Sequence, residues 1–384
     1  MAINEKGAVD DGELEKGIQV YAVIRECVED DSRRPSWAGL IEGACYKILF
    51  AIALLVFYWH CGFAFARPLG LARRVAGVPQ FVLDYAPIVY MDTGEAYFPS
   101  DIGAQIANTH PRVVLETIPD PPALTIDNLD ILNSWGDGGS KVYLTSNSDV
   151  TKGPTPCFLK GIVPDASGKT QTAISCAIII NDHGCGQVDA YYMYFYAYNQ
   201  GNTVFGQELG DHIGDWEHNM IRFSHGKPQA MWFSQHAGGQ AFTYDAMEKI
   251  GKRPVSYSAK GSHANYAVKG VHDHTIPGYN LPGGPLQDYT SQGVVWDPTL
   301  NVYFYNYHAK NLTFGSINGS PLGAMYYRGQ WGDAQYADED ERQKDFFGFK
   351  KFVGGPTGPV YKQLNRTNVC PIGRECIVRD TLGP

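Results

Sequence analysis

Several signatures are missing from this chain, and each absence closes off a class of function. No Cys-x-x-Cys pair occurs among its 8 cysteines, which argues against a zinc ribbon or a thioredoxin-like redox motif. No glycine-rich cofactor-binding motif is present; the spot Leu281-Pro282-Gly283-Gly284-Pro285 reads as a turn. Positive charge is in short supply. Lys and Arg total 31 against 40 Asp and Glu, a net charge of −9 with no basic stripe or stacking platform, so no nucleic-acid partner is expected. No cysteine and histidine stand together as a nucleophile pair. Helical periodicity is scarce, whereas Gly (43) and Tyr (24) are abundant, which favours strands joined by turns. With 44% hydrophobic residues over 384 positions, a sizeable core is assured. The length suits two average domains or one large all-β unit, since such units run past about 200 residues.

Long apolar runs are also rare, with one exception. Ile48–Ala66 holds no formal charge, is flanked by Lys47 and Arg67, and contains the Tyr58-Trp59 pair. That length spans a bilayer as a helix, with the aromatics at an interface. Two other readings compete. One is a signal peptide cleaved after the small-x-small step Ala64-Phe65-Ala66; the other is a buried core helix. Residues 1–46 before it are mixed in charge, read as a mobile cytosolic tail with a short helix near Glu13–Cys27 as the alternative. Flanking charges do not orient the segment. The sequons Asn311-Leu312-Thr313, Asn318-Gly319-Ser320 and Asn365-Arg366-Thr367 all follow it, which points to a lumenal or extracellular body. The expected organisation is a tail at 1–46, a membrane or signal segment at 47–67 and a β-rich body at 77–384.

Within the body, strands are expected at Phe81–Met91 (broken at Pro87), Lys141–Thr145, Thr172–Asn181, Val188–Tyr198, Met231–His236 and Pro254–Ser258, with an irregular lobe between Ser146 and Gly168. Val188–Tyr198, VDAYYMYFYAY, carries aromatics on both faces, so it is buried on both sides or lines a groove with one. In an oxidising lumen Cys370–Cys376 and Cys176–Cys185 are candidate disulfides, with Cys157 left over.

The densest chemistry lies in Gly210-Asp211-His212-Ile213-Gly214-Asp215-Trp216-Glu217-His218, followed by the strand-like Asn219–Phe223. A strand beginning near Asp215 places Asp215 and Glu217 on one face and Trp216 and His218 on the other. Asp211 and His212 then lie on the loop feeding it, between two glycines that let the backbone turn. Carboxylates with one imidazole suit a hard divalent ion better than a structural zinc. The plain alternative is a solvated polar cluster, or carboxylates paired with neighbouring cations. With the Tyr-rich strand, this stretch is expected to form a hairpin with the site at its mouth. His236 and His263 each follow a short strand and can converge there, although a satisfied structural histidine is the commoner role.

Two resemblances sharpen this reading. Tyr85-Ala86-Pro87, Pro99-Ser100-Asp101, Lys152–Pro156, GDWEHNMIRF, GSHANY, HDHTIPGYNLPGG (His272–Gly284), WDPTL, RGQWGD and GPTGP…KQLNR resemble the fungal vacuolar-protein-sorting-62-like family from about Tyr85 to Pro371. That likeness implies a link to vacuolar protein sorting and supplies no molecular activity. More locally, DHIGDWEH is similar to the signature heptapeptide of necrosis-and-ethylene-inducing-peptide-like toxins. In those proteins an acidic, His-bearing loop on a β-sandwich holds a divalent cation used to bind sphingolipid head groups. By position the likeness implies His212, Asp215 and Glu217 as ligands. Gly214 stands where those toxins have histidine, and Asn199 is the nearest counterpart of their upstream aspartate, for which Asp211 can compensate.

The sequence thus predicts a mostly β, β-sandwich-like body on one N-terminal anchor, in the secretory pathway or vacuole, or else secreted. Its expected cofactor is Ca²⁺ or Mg²⁺ held by His212, Asp215 and Glu217, with Asp211 and Asn199 as further candidates. The expected partners are a membrane, through residues 48–66, and a glycolipid or glycan. A rival reading is a metal-assisted hydrolase using His218, His236 or His263 as general acid or base. A third is a scaffold whose acidic loop is purely structural.

Overall fold

The computed structural model describes residues 74–275, 284–373 and 375–383. The expected tail, its possible helix near Glu13–Cys27, and the 48–66 segment all lie outside the described residues. Among the described residues no helix is long and apolar enough to cross a membrane.

The architecture follows from one strand pair. Gln187–Asn199 and His212–Ser224 run antiparallel for almost their whole length, pairing Val188 with Phe223 and Asn199 with His212. They form the centre of an eight-stranded sheet. On one side lie Cys176–Gly184, Val302–His308 and Thr313–Ile317; on the other lie Lys227–Gln235, Gly238–Thr243 and Val378–Arg379. Alternation sends Tyr192, Tyr194 and Tyr196 to one face and Tyr191, Met193 and Phe195 to the other, and all six are fully buried. Both faces of the sheet are therefore covered, which is why this strand reads apolar without a break.

Over the first face lies a smaller sheet built from Lys249–Ile250, Arg253–Ser258, Ile88–Met91, Val295–Trp296 and Asn265–Tyr266. Trp296 meets Tyr194 edge-on at 5.1 Å between ring centroids. Over the second face lie the helix Ile102–Ala107, the strands Thr109–Val113 and Val142–Ser146, and the Tyr327–Trp331 segment, sharing a core with Trp216 and Trp232. The body is mostly β, but covered on both sides of its large sheet where a plain sandwich has one buried face per sheet.

Two expectations need correction. The break at Pro87 is present, but the part of Phe81–Met91 before it is not a strand. Pro79 opens a short helix, Gln80–Asp84, closed by a Gln80 Nε2 to Asp84 Oδ1 hydrogen bond of 2.8 Å, and the strand begins after Pro87. A proline on each side confines the helix. Nor do Cys176 and Cys185 pair. They sit at the start of a nine-residue strand and just beyond its end, and at about 3.3 Å per residue an extended strand holds such positions roughly 30 Å apart.

Cys370–Cys376 is formed, with Cα atoms 5.4 Å apart. It closes the segment that covers the second face beside Leu364 and Val369. Replacing both cysteines by serine is expected to cost about 2 kcal/mol, the loop-closure value for so short a ring. Urea unfolding midpoints of the oxidised and double-serine proteins check this. The three sequon asparagines, Asn311, Asn318 and Asn365, are all exposed.

Candidate functional site

The site lies at the end of the central pair where the chain crosses from Asn199 to His212. That crossing carries its own small hairpin, Asn202–Val204 with Gln207–Leu209. A second hairpin, Asp345–Phe346 with Phe349–Lys350, stands beside it. Between them opens a cavity of about 410 Å³ walled by Asn199, His212, His236, Ser262 and His274 among others.

Asp215 and Glu217 do fall on one face of their strand and Trp216 and His218 on the other. His263 donates from Nδ1 to Asp215 Oδ2 at 3.0 Å, and from Nε2 to the Tyr97 carbonyl at 3.0 Å. With Glu95 Oε1 at 3.9 Å, both ring nitrogens face acceptors, which calls for the imidazolium form. Burial works against that charge, but the Asp215 hydrogen bond and the Glu95 and Asp215 charges overcome it and raise its pKa. The ring also stacks on Tyr196 at 3.8 Å. His263 thus positions Asp215 and has no nitrogen left to move a proton.

Glu217 is in a different state. It is buried, its Oε2 has no hydrogen-bond partner, and burial together with the neighbouring Asp215 charge pushes its carboxyl up to about 8. A buried carboxylate oxygen left unpaired is costly unless it is protonated or bound to a cation.

His212 is the first residue of the strand rather than part of the loop before it. It shares parity with Trp216, yet Trp216 packs in the second-face core while His212 lines the cavity. The change of side coincides with Gly214, which has φ +67° and no partner in the register opposite Ala197. A Cβ on Gly214 would collide with the Trp331 carbonyl oxygen, so this backbone path requires glycine. Nδ1 of His212 bonds the Gly214 carbonyl at 2.7 Å. That contact fixes the tautomer and leaves Nε2 as an acceptor. Burial lowers the pKa of the ring and keeps it neutral, the form a metal needs.

The remaining candidates are held in other ways. Asp211 takes the Gly201 N–H at 2.8 Å and lies 3.1 Å from Lys351 Nζ, which also reaches Glu208 at 2.7 Å. Burial still pushes its carboxyl up to about 6. Its backbone bonds Lys351 and Val353, so it fastens the crossing to the second hairpin. Asn199 donates to the Gly210 carbonyl at 3.0 Å from the cavity wall. His218 points to the opposite face, where Nε2 accepts from Arg366 at 2.8 Å, and burial with the Arg366 charge holds it neutral. Of the three imidazoles considered for proton transfer, His236 is the one that opens on the cavity. Burial opposes its charge, but Asp288, reinforced by Glu217 and Asp215, raises it to about 9.

Sequence reasoning missed Asp288, His274 and Tyr266. Asp288 is fully buried and accepts from Ser262 Oγ at 2.6 Å, Tyr266 Oη at 2.7 Å and His236 Nε2 at 2.7 Å. It stands in the unremarkable strand Gln287–Thr290, where the one available signal was a lone acidic residue between turn-formers.

The fold and this histidine-lined cavity, with the buried carboxyls of Asp215 and Glu217 behind it rather than on its wall, define a class of β-sheet protein, and comparison with known proteins names it. Residues 195–295 match the model of the family described as vacuolar protein sorting-associated protein 62. TDA6, a vacuolar protein sorting-associated protein of Saccharomyces cerevisiae, is 34% identical over 326 residues, covering 76% of this chain and 68% of that protein. Vacuolar protein sorting-associated protein 62 of the same yeast is 34% identical over 331 residues, covering 78% and 68%. The chain belongs to the vacuolar protein sorting-associated protein 62 family. Among solved structures, the non-toxic HaNLP3 protein overlaps 61% of this chain and 78% of its own, with TM-score 0.29 and 10% identity. NLPPya in complex with mannosamine overlaps 62% and 78%, with TM-score 0.26 and 10% identity. So slight an overlap transfers nothing to the site.

Proposed function

We propose that this protein is a component of the secretory–vacuolar system that holds Ca²⁺ or Mg²⁺ at His212, Asp215 and Glu217 and through it binds the polar head group of a glycolipid. Three conditions support the cation. Glu217 Oε2 is buried without a partner, His212 is neutral with one nitrogen fixed and the other available, and Asp215 is oriented by His263. A hard ion suits carboxylate oxygens, and His212, Asp215 and Glu217 would have to close on it, because among the described residues the group with ligand atoms already within 4.8 Å of one another is His236, His274 and Asp288. Its charge would replace the proton on Glu217, and an open coordination position would take a sugar or phosphate oxygen. The membrane segment at 48–66 and a lumenal body belong to this reading, and family kinship favours a vacuolar or secretory setting.

The single observation that carries the lipid-borne ligand is the rim. The two hairpins beside the cavity end in Phe205-Gly206 and Phe347-Gly348, each with positive φ at both turn residues. Such two-residue turns favour Asn-Gly, yet here each presents a phenylalanine, 84% and 88% exposed. Phe346 joins the tips, 6.0 Å from Phe205 and 4.8 Å from Phe347 between ring centroids. Burying two phenylalanines in a lipid interface is worth about 3 to 6 kcal/mol, enough for reversible docking that brings a head group to the cavity.

Vesicle co-sedimentation of the full chain tests this, using phosphatidylcholine with and without a glycosphingolipid, in Ca²⁺ and in EDTA. The readout is the Ca²⁺-dependent increment, because an inserted 48–66 segment would bind regardless. Glycosphingolipid is expected to raise that increment, and both Asp215→Asn and the double substitution Phe205→Ser/Phe347→Ser are expected to remove it. Equal retention in Ca²⁺ and EDTA would overturn the reading.

A further inference from the structure

On the cavity wall across from the acidic strand, three side chains from three separate segments meet. His236 follows the strand Lys227–Gln235, His274 follows Gly270–Asp273, and Asp288 lies in Gln287–Thr290. His236 Nε2 is 2.7 Å from Asp288 Oδ2, and His274 Nε2 is 3.8 Å from Asp288 Oδ1. One ligand atom from each lies within 4.8 Å of the others. The two imidazoles stack at 4.0 Å between centroids, so their Nε2 atoms project side by side.

We infer that His236, His274 and Asp288 form a binding site for a zinc-class divalent metal, with its open coordination position facing the cavity. It is separate from the oxygen-rich position on the acidic strand, and stands whether or not that position holds a cation.

The donor set decides the kind of metal. Two imidazole nitrogens and one carboxylate oxygen suit Zn²⁺ or a neighbouring transition metal, which would displace the proton that Asp288 otherwise holds on His236, whereas Ca²⁺ and Mg²⁺ want oxygen. Three protein ligands with a fourth position left to solvent is the pattern of an open zinc site. Zinc bonds of about 2.0–2.1 Å put tetrahedral ligand atoms roughly 3.4 Å apart, so the 2.7 Å His236–Asp288 contact must open and the 3.8 Å His274–Asp288 contact close, each by less than about 1 Å. The shell behind the carboxylate is already in place. Ser262 Oγ holds Asp288 Oδ1 and Tyr266 Oη holds Oδ2, the kind of outer support that orients a ligating carboxylate. The imidazoles, in contrast, are reachable: both line the cavity, and the His236 side chain is one-third exposed. His274 Nε2 bonds Asn202 Oδ1 at 2.9 Å, a single contact that a metal bond would replace. His236 sits at φ +50°, outside the conformation a non-glycine residue prefers. That strain aims its ring at Asp288 and is commonest where a side chain's direction matters to function.

The plain alternative is a buried His–Asp ion pair with a second histidine stacked on it. Uptake of a metal separates the two. The untagged full chain is titrated with Co²⁺ in excess Ca²⁺, which occupies oxygen-rich positions. Expected is one equivalent showing the visible absorption of four-coordinate cobalt, discharged by Zn²⁺. His236→Gln and His274→Gln are each expected to weaken uptake about tenfold or more, while His308→Gln, at the end of Val302–His308 and outside the cavity, leaves it unchanged. Since a substituted chain can misfold, the wild type is also followed by ¹⁵N histidine spectra, where Zn²⁺ is expected to shift two Nε2 resonances together. No cobalt band in the wild type, a band that survives both histidine substitutions, or no shifted Nε2 pair would each overturn the site.

Discussion

Ca²⁺ is expected to raise the melting temperature of the wild type, and Glu217→Gln to abolish that rise and to raise the melting temperature of the cation-free protein at pH 8. The two effects have one cause. The carboxyl is pushed up to about 8 by burial and by Asp215, against about 4.3 in an unfolded chain. Between those values the folded protein keeps a proton that the unfolded chain has released, so stability falls as pH rises through that window. His236 adds in the same direction, since its raised value near 9 means that stability present below about pH 6.5 is lost as pH climbs through 9. A bound cation, as proposed, would take over the proton's role and flatten the decline. Glutamine removes the buried charge, and with it both the alkaline loss and the ligand. By linkage the gain in the cation-free protein approaches about 4 to 5 kcal/mol at pH 8, several degrees in a body of this size. Thermal melts from pH 5 to 9, with Ca²⁺ and with EDTA, read out all of this. A variant that melts lower at pH 8 and still responds to Ca²⁺ would move the ion elsewhere.

Arg253→Met is expected to cost about 3 to 5 kcal/mol, the penalty for leaving a buried charge without its partner. Arg253 makes a two-pronged contact with Asp297 at 2.6 and 2.7 Å, and bonds the carbonyls of Ala86 and Pro87 at 2.7 and 3.1 Å. It thereby joins the chain just before Ile88–Met91 to the strand Arg253–Ser258 paired with it. Burial alone would raise the Asp297 carboxyl, but the Arg253 guanidinium outweighs it and lowers its pKa. A depressed carboxylate contributes stability above its unfolded value near 3.9, lost as pH falls through the folded one. In the variant that acid-side dependence is expected to disappear along with the stability. Arg253→Met/Asp297→Leu should recover part of the loss, because no unpaired charge remains. Guanidinium unfolding of the three proteins at pH 7 and pH 3 checks the cycle; equal stability of single variant and wild type would refute it.

What could be read in the chain beforehand was local. Val188–Tyr198 announced a strand covered on both sides, and simple alternation separated Asp215 and Glu217 from Trp216 and His218. Cys370 and Cys376 were close enough in sequence to suggest their bond. What stayed hidden depends on distant partners. Asp288 lies 52 residues from His236, and nothing in Gln287–Thr290 shows that a histidine awaits it. The turn of His212 toward the cavity depends on the Trp331 carbonyl crowding Gly214, a contact between remote segments. Phe81–Met91 misled because its apolar residues suit a strand, while Pro79 and Pro87 impose a helical turn between them. Cys176 and Cys185 misled because a nine-residue spacing looks short until a straight strand fills it.

The indole of Trp216 stands between Asp215 and Glu217 along the chain and faces the other way. If its strand slipped by one place against Gln187–Asn199, the indole would be driven toward His263 and both carboxyl groups into the apolar core around Trp331, away from His263, which orients Asp215. Intermediate alignments are therefore closed to this protein. Choosing how the central strands align and turning Asp215 and Glu217 to their own side are a single event during folding, so a molecule that has completed its large sheet has, in the same act, assembled its site.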